Sequence, residues 1–346
     1  DFIPYPLWRR KYPAFLGTLA KPLFHRFYPV REDSHPPQTP AAMAKWLARW
    51  KLLGGGDSAF IDQRAVERGL EDAEPVIAFA DMDAEPQPAP EKPIRLPAQW
   101  EPMERVLISW AWMYPPLWEM HAQMAEGISG VCDVEILVTT EMWARAVWLY
   151  LSWRGFADMS RVKFLVLPTN DIWIRDYGPF VGLDENGERV VVNAIYDPLP
   201  LYPQALDNGM ARRWAAHNGF PARDWHMHTE GGNVWSDGRG TLLMSEQIFY
   251  SNRYYRRDDI LASLHSVFEF EKAIIIPRLT IEETGHIDLL VKLADSETIL
   301  ISAPQSLSTA RALRRARWHL EHETNADGQP YRFFELPTPP LYLNWG

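Results

Sequence analysis

Short apolar runs alternate with amphipathic stretches over most of this chain. Val106–Trp110, Val134–Val138 and Phe164–Leu167 are compact runs that predict strands, and Trp118–Gly130 predicts a helix between the first two. Val190–Tyr196 and the extended Trp225–Thr229 flank a helical pattern over Gln204–Asn218, where Leu206, Met210 and Trp214 recur four apart. Gly240–Glu246 and Ala273–Ile276 flank Asp258–Phe268, whose Ile260, Leu261, Leu264, Val267 and Phe268 share one face. Asp288–Leu293 and Thr298–Ser302 as strands, Ser306–Glu323 as helix and Phe333–Leu336 as strand close the series. The recurring order is strand, strand, helix, strand, which makes the chain an α/β repeat. Units of this kind stack so that equivalent positions face a common axis. Leu341–Gly346 reads as the first strand of one more unit. A closed radial array needs its last unit to cover exposed edges, so the pattern predicts about four units plus the start of a fifth, incomplete at the C-terminus.

Ahead of Arg95 the pattern is different. Residues 1–56 are aromatic and basic, and Met43, Trp46, Leu47 and Trp50 predict one short amphipathic helix ended by Gly54-Gly55-Gly56. Such a helix docks on a main domain; its Lys45, Arg49 and Lys51 also suit an anionic membrane surface. The glycine triplet is followed by no Lys-Ser/Thr pair, so it is not a phosphate loop. Residues 57–94 hold seven acids and no base between Glu71 and Glu91, then Pro86, Pro88, Pro90 and Pro93 in quick succession. That composition predicts an extended, mobile linker. Residues 95–346 form the main domain.

Composition narrows the function classes. The 47% hydrophobic content, with 16 Trp, supplies a large core. A formal charge of −10 argues against a nucleic-acid partner and suits a cationic small substrate. The single cysteine, Cys132, excludes an internal disulfide framework and a cysteine-based zinc site. No apolar run reaches the ~18 residues of a membrane span, and the reading is a cytoplasmic protein, with a homo-oligomer left open.

The candidate chemistry sits at one phase of the repeat. Thr169–Phe180 reads TNDIWIRDYGPF and is answered by Glu230-Gly231-Gly232-Asn233 and Gly285-His286-Ile287-Asp288. Asp176 to Glu230 is 54 residues, Glu230 to His286 is 56, and His286 to Asn344 is 58. Acids returning at one phase converge on the axis, and they define a site for a flat cation such as a guanidinium. A guanidinium needs carboxylates in its plane and a wall for its face. Asp176, Glu230 and Asp288 supply acceptors, and Trp173 supplies the wall. His286 is the natural acid and base for protonating departing ammonia, and a thiolate is the natural nucleophile. Arg175 and Asp171 read as structural partners of the loop. Two His-x-acid or His-x-His pairs, His226-x-His228 and His286-x-Asp288, leave a metal-dependent amidohydrolase as the rival enzyme. A non-catalytic binder of guanidino compounds is the other alternative.

The ordered motifs ND-x-W-x-RD-x-GP at Asn170–Pro179, EGGN and GHID, with Leu96–Pro102 ahead of them, resemble the agmatine deiminase / Porphyromonas-type peptidylarginine deiminase family. The resemblance implies a five-bladed α/β propeller (a pentein) of ββαβ units. It also implies cofactor-free, metal-free conversion of a guanidino group to a ureido group and ammonia through a covalent thiouronium. By motif position, Asp176 and Asp288 hold the guanidinium, Trp173 packs near it, His286 is the general acid and base, and Glu230 is a further carboxylate. Asn344 matches a polar substrate-binding position. The family nucleophile is a cysteine near the C-terminus; Cys132 does not correspond to it, so the reading places that cysteine beyond Gly346 and expects these residues alone to be inactive. In the peptidylarginine branch an arginine pair grips the substrate carboxylate. Tyr196-Asp197-Pro198-Leu199-Pro200 has none, which favours agmatine over a peptide substrate.

Overall fold

A computed structural model describes residues 35–53, 62–111, 117–156, 158–196, 204–279, 284–303 and 307–337. Helix α1 (Pro40–Arg49) starts where the Thr39 hydroxyl accepts the Ala42 N–H, with Pro40 at a position that loses no helical bond. Met43 and Leu47 are fully buried, and Trp46 meets Trp143 edge-on at 5.1 Å. The basic helix is therefore docked on the domain. It ends at Arg49, five residues short of the glycine triplet, which lies outside the described residues.

The stretch that reads as an extended linker is built differently. Asp62 caps α2 (Gln63–Glu71), whose Val66 and Leu70 are fully buried. Arg145 reaches back to the carbonyls of Leu70, Glu71 and Ala73, taking acceptors that the helix end leaves open. Strand β1 (Ile77–Phe79) then pairs in parallel with Phe164–Val166, and Ala222 exchanges backbone bonds with Gln87 and Ala89. Composition predicted mobility because every one of these anchors is distant in sequence.

β2 (Arg105–Ser109), α3 (Trp118–Ser129), β3 (Asp133–Val138), α4 (Glu141–Trp153) and β4 (Val162–Val166) complete an all-parallel sheet of order β1-β4-β3-β2. This first unit departs from the repeat. Helix α4 escaped the sequence pattern because it is apolar on nearly every side, as a helix buried on several faces must be.

After the short α5 (Ile174–Tyr177), three units do repeat. β5 (Phe180–Leu183) and β6 (Arg189–Ile195) lead through α6 (Ala205–Asn208) and α7 (Met210–Asn218) to β7 (Ala222–His228). β8 (Trp235–Ser236) and β9 (Thr241–Ser245) lead through α8 (Gln247–Ser251) and α9 (Arg257–Val267) to β10 (Lys272–Ile276). β11 (Val291–Leu293) and β12 (Thr298–Ser302) lead through α10 (Leu307–Glu321) to β13 (Arg332–Leu336). In each sheet the first two strands are antiparallel and the second and third are parallel. The protein is thus α/β with mixed sheets. Neighbouring units share their cores: Val190 and Val192 pack with Leu242, Met244 and Leu264, and Leu243 and Ile274 pack with Ile299 and Leu313. Each unit buries a face on the next.

Asp288–Leu293 is not a strand throughout. Ile287–Leu289 is a single 3-10 turn, because the Ile287 N–H goes to the Asn233 side chain at 3.2 Å instead of a sheet partner. The strand begins only at Val291. Among the described residues no helix is long and apolar enough to cross a membrane.

Candidate functional site

Three links between successive sheets meet at one place: β4 to β5, β7 to β8, and β10 to β11. The first is pinned from behind. Asp207, fully buried on α6, accepts the Asn170 N–H at 2.7 Å and the Asp171 N–H at 3.3 Å. Asn170 in turn accepts the Leu206 N–H at 2.9 Å. The Asp171 carbonyl takes the Ser109 hydroxyl at 2.9 Å and the Tyr177 hydroxyl at 2.6 Å. These bonds fix the loop so that Asp176, in the following helical turn, faces the second link.

The second link is the 3-10 turn Gly231–Asn233, held by the Asn233 side-chain oxygen, which accepts the Ser245 N–H at 3.0 Å as well as that of Ile287. Asn233 therefore ties the second link to the third. The Gly232 N–H donates to Asp176 Oδ1 at 3.1 Å. A Cβ built on Gly232 would stand 2.6 Å from Asp176 Oδ1, 2.6 Å from His286 Nδ1 and 2.7 Å from Asp288 Oδ2. Two carboxylates and an imidazole, from the first and third links, thus converge over a glycine of the second, around a small hollow too tight for a methyl group. Glu230 closes the group by a hydrogen bond to His286 Nε2, while His286 Nδ1 lies 3.4 Å from Asp176 Oδ1. His286, Glu230 and Asp176 keep only 4%, 13% and 14% of their side-chain surface, so the hollow concentrates negative charge away from bulk water.

Burial shapes the proton equilibria. It pushes the Asp176 carboxyl up to about 7, helped by Glu230 and Asp288 and opposed by His286 and the Gly232 N–H. Burial acts to lower the His286 imidazole, but Glu230, Asp176 and Asp288 outweigh it and hold the ring up at about 9. The Asp171 carboxyl is likewise pushed up to about 7, by burial first and by Asp176 as well, with the Ile172 N–H opposing. Asp207 is driven well above the carboxylate range by burial and by nearby Asp171, and its Oδ2 meets no partner among the described residues.

A stability prediction follows from Asp207. Its folded-state pKa is raised, so the native state keeps a proton that the unfolded chain releases as pH climbs past ~4. The stability tied to that proton is present at low pH and is lost as pH rises through the folded pKa. Asp207→Asn keeps an oxygen for the Asn170 and Asp171 N–H groups but cannot ionise. Thermal melting of the wild type is expected to drop as pH rises above ~4, and the drop is expected to be smaller in Asp207→Asn. Parallel curves would rule out this origin.

The four acid and imidazole residues singled out from sequence, Asp176, Glu230, His286 and Asp288, come together. Trp173 is 52% exposed at the start of α5, beside the cluster in sequence and open to solvent. Asn344 and residues 197–200 lie outside the described residues. Asp171 is buried and accepts the Ile172 N–H within its own loop, and the Arg175 guanidinium rests 4.7 Å from the Trp235 ring centroid. His226 is exposed, and the His228 backbone N–H donates to the Asn252 side-chain oxygen while its carbonyl accepts from the Asn252 amide. Among the described residues no group of three His, Cys, Asp or Glu is disposed to hold a metal ion. Cys132 is half-buried before the first residue of β3, whereas the site leaves from the far ends of the parallel strands, roughly 20 Å away at ~3.3 Å per residue. Sequence reasoning missed Asp207, a lone acid within a helical pattern, and the tying role of Asn233.

The structure is thus an α/β repeat that gathers acids and one imidazole from successive inter-sheet links. The sequence matches the description of one such family, Porphyromonas-type peptidyl-arginine deiminase, over residues 95–344, and the chain belongs to that family. It is 28% identical over 271 residues to a putative agmatine deiminase of Photobacterium profundum, covering 72% of each chain. Its fold is shared by the agmatine deiminase of Enterococcus faecalis, at TM-score 0.63 and 20% identity over 76% of this chain and 74% of that one. The putative arginine deiminase of Porphyromonas gingivalis aligns at TM-score 0.58 and 23% identity over 73% and 78%.

Proposed function

We propose that this site binds the guanidinium of agmatine or a related arginine derivative and supports its hydrolytic deimination to a ureido product and ammonia. The observation that supports the reading is the convergence of Asp176, Asp288 and His286 over Gly232. Asp176 and Asp288 accept N–H bonds in the plane of the guanidinium, which an ammonium cannot match in geometry. His286, held cationic by Glu230 and Asp176, gives a proton to the departing ammonia and takes one back from the attacking water. The exposed Trp173, three residues before Asp176, is assigned the aromatic wall for the guanidinium face. The thiouronium route needs a thiolate, and the position of Cys132 at the other end of the first sheet argues against that residue. The family likeness further supports a closed five-bladed array, of which the three ββαβ sheets and the parallel sheet are four members.

Calorimetric titration tests the recognition step. Agmatine is expected to bind, and 1,4-diaminobutane, which offers an ammonium in place of the guanidinium, at least about tenfold more weakly, the scale set by unpaired polar groups in a buried site. Equal affinities would sink the guanidinium reading.

A further inference from the structure

Arg175 immediately precedes Asp176, so the chain carries a guanidinium of its own one residue from the acidic cluster over Gly232. Its Nη2 donates to the Val234 carbonyl at 3.1 Å, and its Cζ lies 4.7 Å from the centroid of the Trp235 ring. Trp235 is 5% exposed and its indole N–H has no partner among the described residues, so packing and cations hold it rather than a hydrogen bond. A second cation, Lys292 Nζ, lies 4.7 Å from the same ring and donates to Gln99 Oε1 at 2.7 Å. Burial works against the charge of Arg175, while Asp288 and Asp176 draw on it. A Cβ on Gly231 would come within 3.9 Å of Arg175 Nε, and the next residue, Gly232, borders the hollow.

We infer that Trp235 and the Val234 carbonyl latch Arg175 away from the acidic hollow, making Trp235 a positioning residue that keeps the site open for substrate. The inference rests on the guanidinium reading given above. An arginine is drawn to a carboxylate pair by the same in-plane geometry as the substrate, and an indole face is the strongest aromatic competitor for it. Without the latch, Arg175 is a tethered competitor at an effective concentration on the millimolar scale. Lys292, held by Gln99 and the same indole, is a second cation on which the Asp288 charge acts.

A double-mutant cycle on agmatine affinity tests this in the 346-residue chain. Trp235→Leu is expected to weaken binding about tenfold, from tethered competition at that concentration. Arg175→Gln is expected to improve binding far more in the Trp235→Leu background than in the wild type. Removing a positive charge near the hollow raises affinity in either background, so the difference between the two gains is the decisive quantity. Trp235→Phe fills most of the same space with a weaker cation-binding face and is expected to shift affinity in the same direction by less, which covers the case in which the leucine variant does not fold. Equal gains from Arg175→Gln in the two backgrounds, or unchanged affinity in both Trp235 variants, overturn the latch. Absence of agmatine binding by the wild type overturns the guanidinium reading instead.

Discussion

Gly232→Ala is expected to weaken agmatine binding on the order of 100-fold while leaving the fold in place. Gly232 is not among the positive-φ glycines, so its backbone suits alanine and only space is at stake. The added methyl would sit at 2.6 to 2.7 Å from atoms of Asp176, His286 and Asp288, well inside contact distance. Those atoms are side-chain termini bordering a hollow, so they can yield, and in yielding they lose the geometry that grips a planar cation. Misplacement of about 1 Å at such a site costs on the order of 100-fold, and a loss of that size is expected by calorimetry. Gly231→Ala makes the contrast. Its Cβ would meet the Arg175 carbonyl at 2.1 Å, a backbone atom that cannot move aside alone. Gly231→Ala should therefore lower the melting temperature clearly, and Gly232→Ala hardly at all. Unaltered agmatine affinity in Gly232→Ala would mean that the hollow is not the binding site.

Agmatine affinity is also expected to climb steeply between pH 5.5 and 8. The Asp176 carboxyl is pushed up to about 7 by burial and its acidic neighbours, so below that pH it is largely neutral and a weak partner for a cation. Each pH unit below the pKa then lowers affinity by about tenfold, with a plateau above it. His286, held at about 9, stays cationic across the window and contributes no opposing slope. Binding near pH 7 should release a proton, because the guanidinium favours ionised Asp176; titration in buffers of different ionisation enthalpy measures it. Asp176→Asn is expected to bind weakly and without the slope. A wild-type affinity that is flat through this range would remove Asp176 from the contact.

Much of this site was legible in the sequence, for a reason tied to the fold. Asp176, Glu230 and His286 lie on links between successive sheets, and equal link spacing is what a repeat imposes. The individual strands β6, β9 and β12 were legible too, because each is a compact apolar run. Helix α4 was not, since a helix buried on several faces carries no amphipathic period. The acidic stretch was misjudged because its order comes from Arg145, Phe164–Val166 and Ala222, which no local composition can reveal. The turn at Ile287–Leu289 depends on one distant acceptor, Asn233. Asp207 is invisible for the same reason: its importance lies in two N–H groups 36 and 37 residues away.

The placement of the hollow has a consequence for cohesion. Its walls come from three consecutive crossings, so no single unit owns the site and none can shift without deforming it. An array of this type is stable as a sum of unit and interface terms. A ligand that touches three crossings adds its binding free energy to the interfaces between units rather than to any one of them. Occupancy thus acts as a keystone, and the cooperativity with which neighbouring units unfold should tighten when the site is filled.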